Sequence, residues 1–136
     1  MRTHILKDLF FLIVIFSILF FLLLGNRPLF VPDEGRYAEI AREMVVSHDY
    51  LTPRLNVVIY FEKPVLFYWL SAIAFKTFGA QIASIRSVNA IFGLLTCLFT
   101  YLIASTLYDR RTGLLSALIL ASSPLYFAMT HLVSLD

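Results

Sequence analysis

The 136-residue chain reads as an all-α integral membrane protein, with three transmembrane helices and amphipathic helices lying at the interface in its first extracytoplasmic loop. Three observations carry that expectation. Hydrophobic residues make up 60% of the chain and mean hydropathy is +0.82, where soluble domains hold ~45–50% apolar residues. Runs without formal charge cover about 9–26, 87–108 and 112–135, each long enough to cross ~30 Å of hydrocarbon. The stretch between the first two, about 27–86, is charged and patterned instead.

Taken in order, the first run follows Arg2 and Lys7, and the following Leu-Leu-Gly-Asn-Arg-Pro lacks an A-x-A-like cleavage site. A retained signal anchor is expected rather than a cleaved signal peptide. Tyr37, Ile40, Ala41, Met44 and Val45 then recur at helical spacing, with Arg36, Glu39, Arg42 and Glu43 opposite. Asp33 stands where the N-cap of that helix belongs, and Glu34 in its first turn, where negative charge suits the helix dipole. Thr52-Pro53 breaks the pattern, and Leu55 to Phe61 reads as extended. Tyr60, Phe61, Phe67, Tyr68 and Trp69 form an aromatic band around Pro64, the expected first residue of a short helix. Lys76 interrupts the run from Pro64 to Phe75, which is too short for a crossing. Asp109-Arg110-Arg111 reads as a tight turn between the last two spans. With the N-terminus cytoplasmic, three spans place the 27–86 loop and Asp136 outside and Arg110 and Arg111 inside.

Net charge is +2 with scattered basic residues, so nothing points to nucleic-acid binding, and Cys97 has no partner in the chain for an intramolecular disulfide. The side chains that could carry chemistry cluster in two loop motifs. Asp33 and Glu34 follow Pro32 beside Arg36, and local chemistry alone leaves a helix cap and a functional acid equally open. Lys63, in Glu62-Lys63-Pro64, is a compact charge suited to a phosphate, and Arg36 could bind the same phosphate through its fork. The bland reading is an interfacial charge pair. Glu62 is a candidate metal ligand, though one carboxylate is weak evidence. Asp136 and His131 each have an ordinary reading as polar residues at a membrane exit. Zinc-ligand spacing, a phosphate-binding glycine loop and a Ser-His-Asp order are all missing from the sequence.

The order of hydrophobic anchor, Pro32-Asp33-Glu34-Gly35-Arg36-Tyr37-Ala38-Glu39, Leu55-Asn56, Tyr60-Phe61-Glu62-Lys63-Pro64 and Tyr68-Trp69-Leu70 resembles one family. So do Leu107-Tyr108-Asp109-Arg110-Arg111-Thr112-Gly113-Leu114 and Ser123-Pro124. The chain is similar to the bacterial aminoarabinose transferase and protein O-mannosyltransferase group, polytopic glycosyltransferases that use polyprenyl-phosphate sugars. The resemblance implies a chain corresponding to the N-terminal part of a longer glycosyltransferase membrane domain in the bacterial inner membrane, not active by itself. It implies that Asp33 and Asp136 are catalytic acids and that Glu34, Arg36, Tyr37 and Lys63 bind substrate. It implies that Glu62 contacts a divalent metal where one is bound. The partners it implies are a polyprenyl-phosphate sugar donor, membrane lipids, and a lipid A, glycan or protein acceptor. Two rival classes are a small non-catalytic membrane protein and a transport component using Asp33, Glu34 and Asp136 as a relay. The transport reading is weaker because relay acids usually lie within spans.

Overall fold

A computed structural model describes residues 2–22, 24–29 and 32–133. Its elements are α1 (Arg2–Phe21), α2 (Asp33–Ser47), β1 (Arg54–Leu55), β2 (Val58–Ile59), α3 (Leu66–Phe78), α4 (Ile82–Leu107), α5 (Arg110–Ser122) and α6 (Pro124–His131). The chain divides into two compact units, one of Met1–Leu22 with Ala90–His131, the other of Leu23–Asn89 with Leu132–Asp136. Helix predominates, as expected. The two short strands are a small departure from all-α.

In the first unit, Asp8, Leu12, Phe16 and Phe20 are buried at a spacing of four along α1, while Phe10, Phe11 and Ile18 are exposed. This is the stripe of a helix that packs on one face and leaves apolar side chains outward, as lipid contact requires. Helix α5 buries only small residues, Gly113, Ala117 and Ala121. A Cβ on Gly113 would stand 2.9 Å from the Tyr101 carbonyl oxygen and 3.0 Å from the Ser105 amide nitrogen, so the close approach of α4 and α5 needs glycine there. The turn between them is only Tyr108–Asp109, because Arg110 and Arg111 already belong to α5. Asp109 caps that helix, accepting the Thr112 amide at 2.6 Å, and this bond holds its carboxyl below the usual range.

Two expectations for the membrane runs need correction. The first helix begins at Arg2, before the uncharged run, and so includes Asp8. The acid is accommodated by pairing: Arg110 donates through Nε and Nη2, both at 2.6 Å, and the Tyr101 hydroxyl donates at 2.8 Å. The last run is not one continuous helix. Pro124 lacks the amide that would extend α5, and α6 leaves at 64° from it. Among the described residues, two helical segments, His4–Phe21 and Ile82–Leu107, are long and apolar enough to cross a membrane, or three if the bent pair counts as one span.

In the second unit, Tyr37, Ile40, Ala41 and Met44 of α2 are buried against Tyr68 and Phe75 of α3, with Ile85 and Val133 in the same core. The expected amphipathic helix therefore packs on protein through its apolar face. It ends at His48 in the left-handed region (φ 59°). Strands β1 and β2 pair antiparallel, Arg54 opposite Ile59 and Leu55 opposite Val58. Their two-residue turn puts Asn56 and Val57 at φ 51° and 72°. Such a turn favours Asn-Gly, so Val57 is out of place by conformation. The Val57 amide donates to the Glu43 carboxylate at 3.2 Å, which ties the turn to α2. Helix α3 starts at Leu66, with Val65 as its cap, so Pro64 precedes the helix rather than opening it. The Trp69 indole N–H donates to the Tyr50 carbonyl at 2.6 Å and anchors α3 to the loop.

Candidate functional site

The site builds outward from the first turn of α2. Asp33 is its first helical residue and Pro32 takes the cap position, which corrects the expectation that Asp33 is the cap. Asp33 is half-buried and accepts no hydrogen bond from another described residue. One turn on, Arg36 donates through Nη1 to the Tyr60 hydroxyl at 3.2 Å and lies 6.0 Å from the centre of that ring. Tyr60 in turn donates to the Glu62 carboxylate at 2.8 Å. The guanidinium is held strongly protonated, first by Tyr60 and then by the charges of Asp33 and Glu62. Four side chains from two sequence motifs thus share one electrostatic neighbourhood. Lys63, next in the chain, is half-buried.

Glu34 and Tyr37 point elsewhere from the same turn. Tyr37 is buried in the core, its ring 6.2 Å from Tyr68 and 6.4 Å from Phe67. Glu34 is 2% exposed and takes a two-point bond from Arg86, Nε to Oε1 at 3.0 Å and Nη2 to Oε2 at 2.7 Å. The Arg86 guanidinium also donates at 2.9 Å to the carbonyls of Leu24, Arg27 and Pro28. All five of its N–H groups are therefore placed, which is what a buried guanidinium requires. Glu34 Oε1 additionally accepts the Val133 amide at 2.9 Å, and Asn89, one turn after Arg86, donates from its side chain to the Leu132 carbonyl. Removing one partner of such a pair costs about 3–5 kcal/mol, since the other charge stays buried.

Sequence reasoning missed Arg86, counting it as the loop residue before the uncharged run. The available signal was an arginine at the edge of a membrane helix with an acid pair upstream. Glu62 is exposed, and among the described residues no group of three His, Cys, Asp or Glu side chains comes together to hold a metal. Asp136 lies outside the described residues. His131 is buried in the first unit, its ring 4.3 Å from Phe127.

Residues 5–136 match the profile of the dolichyl-phosphate-mannose-protein mannosyltransferase family. The chain is 35% identical over 126 residues to the undecaprenyl phosphate-alpha-4-amino-4-deoxy-L-arabinose arabinosyl transferase of Pseudomonas paraeruginosa, and 40% identical over 126 residues to that of Pectobacterium carotovorum. Each alignment covers 92% of this chain and 23% of the relative. The fold is similar to crystal structures of ArnT from Cupriavidus metallidurans, with a TM-score of 0.85 and 33% identity for the form bound to undecaprenyl phosphate. The apo form gives 0.80 and 32%, and each match covers 90% of this chain and 23% of that one.

Proposed function

The chain belongs to the dolichyl-phosphate-mannose-protein mannosyltransferase family and is a membrane protein, and from that premise we propose that it forms the N-terminal part of a glycosyltransferase membrane domain. It would take a sugar, 4-amino-4-deoxy-L-arabinose by analogy with the relatives, from an undecaprenyl-phosphate donor to an acceptor hydroxyl such as one on lipid A. The observation that carries the reading is the gathering of Asp33, Arg36, Tyr60 and Glu62 at the first turn of α2.

In the proposed reaction Asp33 accepts the acceptor's proton while the acceptor oxygen bonds to the sugar C1. The C1–O bond to phosphate breaks, and the electron pair leaves on the phosphate monoester, whose second pKa of ~6 makes acid assistance unnecessary. Arg36 and Lys63 offset its charge, Arg36 already oriented by Tyr60. Glu34 and Tyr37 serve the substrate site from behind, one braced by Arg86 and the other in the core. Asp136 is assigned as a second acid. Glu62 is the described residue that would give a divalent metal a carboxylate ligand, but one carboxylate does not make a site, and no step is routed through a metal.

We place three crossings, α1, α4 and the bent α5–α6 pair, in the bacterial inner membrane with the N-terminus cytoplasmic and α2, the hairpin and α3 at the extracytoplasmic interface. The Asp8–Arg110 pair supports this count. It joins the beginning of α1 to the beginning of α5, which lie on one face only if an even number of crossings separates them. The catalytic assignment is tested in a full-length polypeptide carrying residues 1–136: Asp33→Asn should lower sugar transfer by ~10²-fold or more while the protein stays folded. Near-parent turnover would remove the assignment.

A further inference from the structure

We propose that Arg86 is a positioning residue for the transfer reaction, holding the Asp33-bearing first turn of α2 through one buried ion pair. The inference rests on the reading of Asp33 as the base. Glu34 is adjacent to Asp33 on the first turn of α2, and its carboxylate is gripped at two points by Arg86. The same carboxylate accepts the amide of Val133, three residues ahead of Asp136 in the sequence. Asn89, on the same face of α4 as Arg86, holds the neighbouring Leu132 carbonyl. Arg86 also takes the carbonyls of Leu24, Arg27 and Pro28. Arg86 therefore joins the stretch after α1 to the start of α2, and the Glu34 carboxylate it grips also holds the Val133 amide. Stability alone does not call for a charged pair here, because an apolar replacement of similar volume is often as stable. What the pair adds is a fixed angle and distance for the first turn of α2, set by five directed bonds.

The test uses a full-length polypeptide carrying residues 1–136 in proteoliposomes, with undecaprenyl phosphate-4-amino-4-deoxy-L-arabinose as donor and lipid A as acceptor. Arg86→Lys keeps the charge and loses the fork. Its kcat should fall about 10-fold or more with donor KM within about 3-fold of the parent, since a misplaced base costs the transition state rather than donor binding. Arg110→Lys, which weakens the ion pair of the other unit, should lower the unfolding midpoint yet keep the parent kcat. Parent kcat in Arg86→Lys overturns the inference, as does an equal kcat loss in Arg110→Lys. If Arg86→Lys does not fold, Glu34→Gln carries the same kcat-against-KM test, because it keeps shape and the Val133 bond. Near-parent turnover by Asp33→Asn would remove the base assignment and the inference with it, whereas loss there beside parent kcat in Arg86→Lys defeats the inference alone.

Discussion

Lys63 and Arg36 are not equivalent cations, and the difference can be measured. Arg36 is already engaged with Tyr60, whose hydroxyl passes the contact on to Glu62. Lys63 carries a compact ammonium one residue after Glu62, and on the proposed reading Lys63→Ala should weaken undecaprenyl phosphate binding by about 1.5–3 kcal/mol, the worth of a charged hydrogen bond. Lys63→Arg should recover only part, since a fork does not replace a point charge. Isothermal titration with the lipid in nanodiscs reads both, and parent-like affinity in Lys63→Ala would return it to the role of headgroup anchor. A second residue gives a pH signature. The Asp49 carboxylate accepts the amides of Thr52 and Leu51, each at 3.1 Å, and the Thr52 bond is the main reason its carboxyl is held below the usual range. A lowered folded-state pKa adds stability above the ordinary aspartate value of ~3.9 and loses it as pH falls through the folded value. The stability gap between parent and Asp49→Ala should therefore be constant near neutral pH and narrow in acid, as followed by urea unfolding at a series of pH values. At this scale the two loop motifs were legible because their charged and aromatic side chains lie close in sequence. The Glu34–Arg86 pair was not, because 52 residues separate its members and only packing brings them together.

Helix α2 was legible from spacing alone, since a repeat of apolar residues at three and four positions has one face to bury. Its beginning was less so, because Asp33 satisfies the residue preference for a cap while the backbone turns helical at that same residue. The break in the last apolar run was passed over for a different reason. Hydropathy does not register that Pro124 has no amide to donate, and the chain bends there by 64°. The hairpin offers an element-level test, because Val57 holds a left-handed conformation that costs a side-chain-bearing residue about 1–2 kcal/mol. Val57→Gly makes the turn Asn-Gly, and the chain should gain roughly 1 kcal/mol once glycine's extra unfolded-state entropy is subtracted. Destabilisation in a denaturant titration would show that the valine side chain contributes more than its backbone costs. The α4–α5 contact gives the opposite expectation. Gly113→Ala puts a methyl 2.8 Å from the Ser105 Cβ and against backbone on α4, so it should destabilise by about 1–3 kcal/mol and loosen Tyr101 from Asp8. SDS titration of the folded chain checks both the cost and its sign.

Composition alone settled that this chain belongs in a membrane, because no soluble core could absorb its apolar share, but topology needs evidence on which ends meet. Helix α3 has 13 residues, ~20 Å at 1.5 Å each, against ~30 Å of hydrocarbon. Length therefore argues against a crossing, and the Asp8–Arg110 pair argues the same from an independent direction. If α3 crossed, α4 would deliver Arg110 to the face opposite the start of α1, and a 2.6 Å contact with Asp8 could not form. The placement can be read directly in cells. Leu51, Gln81 and Tyr108 are exposed, so single cysteines there, in a Cys97→Ala background, should react without disturbing packing. An impermeant thiol reagent added to spheroplasts should label positions 51 and 81 and spare 108 until the membrane is permeabilised. Protection at 81 with labelling at 108 would mean that α3 crosses, and would force the start of α1 and the α4–α5 turn apart. The Arg110→Lys variant then distinguishes a wrong topology from a wrong pair: in the three-crossing arrangement it lowers the unfolding midpoint because Asp8 loses its two-point partner, whereas in a four-crossing protein Arg110 has no buried acid to lose and the midpoint stays where it was.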